Sequence, residues 1–225
     1  MNTYAEENYL KALFNISNEN GEVTVQELSI ELKIKMPSVN SMVKKLAEKK
    51  LVLYESYKPL KLSEKGKKAA GLIIRKHRLT EMYLVDKMGF GWEQVHEIAE
   101  QVEHLQSPVF FDKMDELLGF PNVDPHGSPI PDKNGKIHWL EFKKLSDCKP
   151  GDKVKLAAVT HSSEDFLKFL NSKGLHLGLI VKIVATEVFD GTVTVSYAKK
   201  TNEMLSKIVA EKLLTEKLNA VPKIL

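Results

Sequence analysis

Residues 93–107, EQVHEIAEQVEHLQS, hold His96, Glu100, Glu103 and His104 within nine positions. On a helix these fall at i, i+4, i+7 and i+8, so they share one narrow face. The apolar residues Val95, Ile98, Ala99, Val102 and Leu105 fall mainly on another. Upstream, RKHRLTEMYL carries His77 and Glu81 at i and i+4, a second His/Glu stripe on a second helix. Brought together, the two stripes would offer roughly four to six nitrogen and oxygen donors, a set that suits Mn²⁺, Fe²⁺ or Zn²⁺. With no thiolate among them and carboxylate in the majority, the balance shifts toward Mn²⁺ and Fe²⁺. HEIAE is not the two-histidine metalloprotease motif, because its fifth residue is Glu100. Spacing alone leaves two readings open: a ligand set, or a charged face that is merely solvated.

The elements that would carry these stripes lie in a chain of 225 residues, enough for one large domain or two to three small ones. No apolar run follows Met1, and no apolar stretch is long enough to span a bilayer, so a cytoplasmic protein with no membrane partner is expected. The single cysteine, Cys148, excludes an intrachain disulfide and a cysteine-based structural zinc site. Charge is segregated along the chain. Residues 1–78 hold 15 Lys and Arg against 9 Asp and Glu, whereas residues 79–148 hold 6 against 13. An anion-facing first segment and a cation-tolerant middle follow from that asymmetry.

The first segment reads as three helices and a hairpin. Leu10, Leu13 and Phe14 form a helical stripe; Thr24 and Glu27 form a capping-box pattern before a short helix with Leu28 and Leu32. After a tight turn at Lys33–Met36, Pro37 marks a helix start, and Val39, Met42, Val43 and Leu46 follow the amphipathic template. LVLYE and LKL then read as strands around SYKP. This order is that of a winged helix-turn-helix. A long helix is expected from Ser63 to about Met88, then helices over 92–106 and 109–118. The Pro- and Gly-rich FPNVDPHGSPIPDKNG is a loop. Beyond CKPGD, the runs KVKLAAV, LIVKIVATEV and TVTVSY, with a short helix near 163–173 and a hairpin turn at FDGT, read as a small β-barrel.

Off the apolar stripe of the Pro37 helix stand Ser38, Asn40, Ser41, Lys44 and Lys45, with Lys35 just before it. Short polar side chains near a helix N-terminus reach base edges in the major groove, and lysines contact phosphates. Tyr57 and Lys58 sit at the tip of the wing, within reach of the backbone. The helix-turn-helix-wing order in a net positive segment points to double-stranded DNA.

Five motifs in order, EENYLKALFNI, LKLSEKGKKAA, RKHRLTEMYL, VHEIAEQVEHLQS and DPHGSPIP, resemble the diphtheria-toxin-repressor family of metal-dependent regulators over nearly the whole chain. The resemblance implies a mainly α fold with α+β parts. A winged helix-turn-helix covers 1–71, a helical dimerisation and metal-binding domain 72–140, and an SH3-like (FeoA-type) β-barrel 141–225. It implies a homodimeric repressor, not an enzyme, that binds palindromic operator DNA with a divalent metal as corepressor and controls metal-homeostasis genes. No organic substrate is implied.

By motif, His77, Glu103 and His104 match ligands of the family. Glu100 falls where iron-responsive members tend to carry Cys and manganese-responsive members Glu, which favours Mn²⁺, with Fe²⁺ the alternative and Zn²⁺ or other divalent metals binding in vitro. Glu81 and His126 match ligands of a second site, and His96 is a ligand in some members. Asp124 stands where relatives often carry Cys, and Asp165 or Glu164 of HSSEDF would complete that second site. Two positions depart from the pattern. Asn8 replaces a ligand Asp or Met and retains only a neutral carbonyl donor; Lys11 replaces a ligand Glu of a two-metal manganese-type member.

The alternative is a winged-helix regulator responding to a non-metal ligand, against which the aligned His/Glu faces speak. A metal-dependent hydrolase would need a general base beside an open coordination position, and no separate nucleophile or acid–base constellation supports one. A metal-transport accessory role is suggested only by the β-rich end, and the helix-turn-helix argues against it.

Overall fold

The structure, a computed structural model, describes residues 2–18, 20–160 and 163–218. The chain divides into two compact units. The first comprises Met1–Met88, His96–Asn122 and Ile130–His138; the second comprises Gly89–Val95, Val123–Pro129 and Trp139–Leu225.

The first unit opens with α1 (Tyr4–Ile16), β1 (Glu22–Val23), α2 (Val25–Leu32), α3 (Met36–Glu48), β2 (Val52–Leu53) and β3 (Leu60–Leu62). Capping boxes fix two helix starts: Thr3 with Glu6 at α1, and Thr24 with Glu27 at α2, each satisfying orphan backbone donors reciprocally. Lys33, at φ 54°, is the left-handed residue that closes α2 and turns the chain into α3. On α3 the expected stripe is buried: Val39, Val43 and Leu46 are fully enclosed and Met42 half so. They meet Tyr9, Leu10 and Leu13 of α1, Leu28 of α2 and Leu60 of β3 in one apolar cluster. Each such aliphatic side chain contributes roughly 1.5–3 kcal/mol on burial. The three strands pair antiparallel in the order β1-β3-β2, and Glu22 opposite Lys61 adds a 2.9 Å cross-strand ion pair. The expected helix-turn-helix-wing is thus present element by element.

Helix α4 (Glu64–Asp86) carries the chain away from the wing, with Ser63 Oγ accepting from the Gly66 amide as N-cap. At Gly71 the loop residue Gly135 approaches so closely that a Cβ would lie 1.9 Å from its carbonyl oxygen. Only glycine permits that contact. Helices α5 (His96–Val102) and α6 (Pro108–Leu117) pack on α4; Leu79, Phe111, Met114 and Ile130 form their core. Arg75 of α4 and Asp115 of α6 make a buried ion pair at 2.5 Å, and Arg75 also donates to the Pro131 carbonyl at 2.7 Å.

The helix expected over 92–106 is shorter than its pattern. Trp92–Val95 are turn and bend, α5 ends at Val102, and Glu103 and His104 lie in the turn that follows. Pro108 at the start of α6 constrains only the residue before it, and Ser107 is extended at φ −130° and ψ 90°. Glu103 still donates its amide to the Ala99 carbonyl at 2.9 Å, so it keeps its helical position while His104 does not have to.

In the second unit a six-stranded antiparallel sheet runs β4 (Lys143–Lys144), β9 (Leu213–Lys217), β5 (Lys153–Val159), β6 (Ile180–Thr186), β7 (Val193–Tyr197), β8 (Lys200–Leu205). Helices α7 (Glu164–Lys173) and α8 (Lys207–Lys212) cover a core that includes Leu156, Leu167, Leu170, Val181, Ile183, Val195 and Leu213. Strands β5, β6 and β7 are the three apolar runs read from the sequence. Strand β8, KTNEML, has no alternating pattern and is a strand because it pairs with β7. Among the described residues, no helix is long and apolar enough to cross a membrane.

Candidate functional site

His77 and Glu81, one turn apart on α4, and His96, the first residue of α5, bring three donor atoms together. His77 Nε2 lies 3.1 Å from Glu81 Oε1 and 3.2 Å from His96 Nδ1, and His96 Nδ1 lies 3.2 Å from Glu81 Oε1. The atoms form a nearly equilateral triangle. One face of an octahedron with metal–ligand bonds of about 2.1–2.2 Å has edges of about 3.0–3.1 Å, so these residues fit a divalent ion. Two neutral imidazole nitrogens and a carboxylate oxygen are also the donor chemistry of Mn²⁺, Fe²⁺ and Zn²⁺. His77 and Glu81 are buried while the His96 side chain is 52% exposed, which leaves one side of the triangle open to water.

The other nitrogen of His77 is tied. Its Nδ1 lies 2.5 Å from Glu103 Oε2, an arrangement that fixes the ring and aims Nε2 at the triangle. Burial alone would depress the His77 pKa. The hydrogen bonds to Glu103 and Glu81 outweigh it and raise the value to about 9. In the metal-free protein His77 is therefore an imidazolium donating to two carboxylates. Glu103 is fully buried; burial would push its carboxyl up, but His77 and Lys11 hold it below the ordinary range.

The rest of the expected ligand set is arranged differently. Lys11, on α1, places its ammonium 2.7 Å from Glu103 Oε1 and 3.1 Å from Glu100 Oε1. Glu100 also stands 3.6 Å from His96 Nε2. His104 turns its Nδ1 to Glu7 of α1 at 2.7 Å, stacks on Tyr4 at 4.5 Å, and keeps Nε2 3.8 Å from Glu103. Glu7 is further held by Gln106 at 2.9 Å. Sequence reasoning missed Glu7 and Gln106 as members of this cluster. The only local signal was the acidic pair Glu6–Glu7 in the first turn of α1, which reads equally well as favourable placement against the helix dipole. Asn8 is exposed on α1.

Asp124 and His126 belong to the second unit. Asp124 Oδ1 accepts the amides of His126 and Ser128 at 2.8 and 2.9 Å, forming a tight turn. His126 Nε2 donates to the Trp92 carbonyl at 2.8 Å, so its tautomer is set. Asp165 is exposed in the first turn of α7.

On α3 the residues off the apolar stripe are outward: Lys35, Pro37, Ser38, Ser41, Lys44 and Lys45 are exposed and Asn40 is half-buried. At the wing tip Tyr57 is fully exposed with φ 65°, and Lys58 pairs with Glu55 at 2.8 Å. Lys45 is not free of the protein. It and Lys49 grip Glu6 of α1 at 3.1 and 2.8 Å. Glu6 is fully buried and also accepts the Thr3 amide at 2.9 Å. Burial opposes its ionisation, yet Lys49, the Thr3 amide and Lys45 bring its pKa from 4.5 to about 2. A depressed carboxyl stabilises the fold above pH 4.5 and loses that contribution as pH falls toward about 2. Glu6→Gln is expected to cost about 1–2 kcal/mol at neutral pH, from the ion pairs and half of the capping box. The gap from wild type should shrink on acidification, read as urea midpoints by circular dichroism at neutral and acid pH; a gap independent of pH would contradict it.

A winged helix linked through α1 and α4 to a His/carboxylate donor cluster is the architecture of a metal-responsive winged-helix protein. Comparison with known proteins bears this out. Residues 1–60 match the family described as "Iron dependent repressor, N-terminal DNA binding domain", residues 63–132 its "metal binding and dimerisation domain", and residues 143–217 the "FeoA domain". The iron-dependent repressor IdeR of Mycobacterium tuberculosis is 32% identical over 125 residues, 56% of this chain and 54% of that protein. The chain thus spans about half the length of such mycobacterial relatives. The HTH-type transcriptional regulator MntR of Bacillus pumilus is 30% identical over 53% of this chain and 83% of its own. A solved structure described as "Manganese-dependent transcriptional repressor complex with manganese" superposes with a TM-score of 0.85 at 28% identity, over 95% of this chain and 100% of the other. The chain belongs to the diphtheria-toxin-repressor family of iron-dependent and manganese-dependent repressors.

Proposed function

We propose that the protein is a metal-dependent transcriptional repressor that binds palindromic operator DNA as a homodimer, with Mn²⁺ favoured over Fe²⁺ as corepressor. The observation that carries this reading is the His77–Glu81–His96 triangle, whose edges of 3.1–3.2 Å suit a divalent ion. Glu100, Glu103 and His104, beside Asn8 on α1, form the second donor group of the helical unit; Asp124, His126 and Asp165 are the candidate ligands from the other unit. Carboxylate at position 100 instead of thiolate supports the harder ion, and the manganese found with one structural relative agrees with it.

A bound ion would supply fixed positive charge to carboxylates that otherwise need protons or lysines. Residues of this chain do the rest. Glu103 orients His77 through Nδ1, Glu7 orients His104, and both interactions reach across helices. Helix α1 stands between the metal centre and α3. Its Glu7 and Lys11 contact the donor turn while its Glu6 holds Lys45 and Lys49 near the C-terminal end of α3. Metal needs only to favour the arrangement of α1 that sets two recognition helices at operator spacing. Ser38, Asn40 and Ser41 are then the base-reading side chains; Lys35, Lys44, Tyr57 and Lys58 face the phosphate backbone, and Lys45 is shared with Glu6.

Helix α6 supports the dimer. Phe111 and Met114 pack inside the unit, whereas Val109, Phe110 and Leu117 remain exposed at 78%, 44% and 51%. Such an apolar stripe fits an isologous two-fold contact. Titration of a palindromic promoter fragment with Mn²⁺ or Fe²⁺, with and without chelator, tests the whole reading. Specific affinity should rise at least about tenfold with metal. Equal affinity under chelation, or a monomer in sedimentation at micromolar concentration, would refute the corresponding part.

A further inference from the structure

In the helical unit Glu100 and Glu103 share one ammonium, that of Lys11. We propose that Lys11 is a resident cation of the metal centre, its ammonium standing in for a divalent ion between Glu100 and Glu103 and being displaced when a metal takes those carboxylates. This rests on the metal-dependent reading above and deepens it.

Three observations carry the inference. Lys11 reaches Glu100 on α5, 89 positions away in sequence, and Glu103 in the turn that follows, and its side chain is only 14% exposed. It is bidentate in effect, at 2.7 Å from a fully buried carboxylate and 3.1 Å from a half-exposed one. Glu103 Oε1 has no hydrogen-bond partner and meets the Lys11 ammonium at 2.7 Å as an ion pair, while Oε2 is engaged by His77. The buried oxygen is therefore compensated chiefly by this charge, with His104 Nε2 farther off at 3.8 Å. Lysine suits the role: its ammonium is a point charge on a flexible stem and can swing away without disturbing the backbone. Lys76 of α4 is turned to the Leu105 carbonyl at 3.4 Å.

Two consequences follow from the geometry. Lys11 keeps α1 docked against the α5 turn without metal, so the metal-free protein retains that contact. It also raises the metal concentration at which Glu100, Glu103 and His104 are engaged, because the ion must compete with a tethered cation.

The test uses the full-length protein, Mn²⁺ alone as ligand, and competition against a fluorescent chelator. Wild type is compared with Lys11→Met, Lys11→Gln, Glu103→Gln and the Lys11→Met/Glu103→Gln pair. Urea unfolding of the chelator-treated proteins gives an independent readout. Removing the ammonium is expected to tighten Mn²⁺ binding at least about fivefold. The same variants should unfold at lower urea when metal-free, and the gain in affinity should vanish in the double variant. Unchanged or weaker Mn²⁺ binding by both Lys11 variants overturns the proposal. If neither wild type nor any variant binds Mn²⁺, the metal reading itself fails. The urea comparison then decides Lys11 alone: an unchanged midpoint removes it as a resident cation, a lowered one retains it.

Discussion

Replacing His77 with alanine is expected to weaken Mn²⁺ binding by at least about 100-fold, since loss of a mere outer partner of a ligand already costs about 10–100-fold. The position of His77 explains the size. Its Nε2 is a corner of the donor triangle, and its Nδ1 is the contact that engages Glu103 from the opposite side. Proton linkage supplies a second signature. The pKa of His77 is raised from 6.5 to about 9, so its charged form stabilises the metal-free fold fully below pH 6.5 and loses that effect as pH passes about 9. A metal needs the unprotonated Nε2, so binding at neutral pH releases a proton and affinity rises with pH up to about 9. Calorimetric titration in buffers of different ionisation enthalpy measures the proton directly. Wild type should release it and His77→Ala should not. An alanine variant with wild-type affinity and wild-type proton release would remove His77 from the site.

The second large effect lies where no ligand is involved. Asp115→Ala is expected to destabilise the helical unit by about 3–5 kcal/mol, the usual cost of stranding one member of a buried ion pair. Arg75 and Asp115 join α4 to α6 at 2.5 Å with both side chains nearly enclosed, and the Pro131 carbonyl can satisfy only part of the guanidinium. The loss should appear in far-ultraviolet circular dichroism, which follows the helices. Both tryptophans, Trp92 and Trp139, belong to the second unit, so their fluorescence should shift far less. Asp115→Asn, which keeps an acceptor, should recover part of the loss. Coincident, unshifted transitions by both probes would show that the pair contributes little.

The same pair shows how far local sequence reaches. Nothing local marks Arg75 and Asp115, forty positions apart, as partners, and in the sequence only apolar residues point to α6. Those residues in turn were legible only in part. Val109, Phe110 and Met114 look alike on the sequence, yet Met114 faces Leu79 and Ile130 while Val109 and Phe110 face outward. Amphipathic spacing says that a helix has an apolar side; it does not say which edge of that side the next helix covers.

The sequence by itself determined the elements whose causes are local. Capping at Thr24–Glu27, Pro37 opening α3, the Val39–Leu46 stripe, the long α4, and the His77–Glu81 and His96–Glu100 spacings all follow from interactions within a turn or two, and all are present. Only the tertiary structure decided which of the spaced donors meet. Stopping α5 at Val102 freed His104 to turn to Glu7, and the docking of α1 put Lys11 on Glu100 and Glu103. Those choices depend on charges and apolar surfaces brought together from residues up to 97 positions apart. Helical periodicity fixes where a side chain points along its own element, whereas its partner is fixed by the free energy of packing whole elements together, which no short stretch of sequence contains.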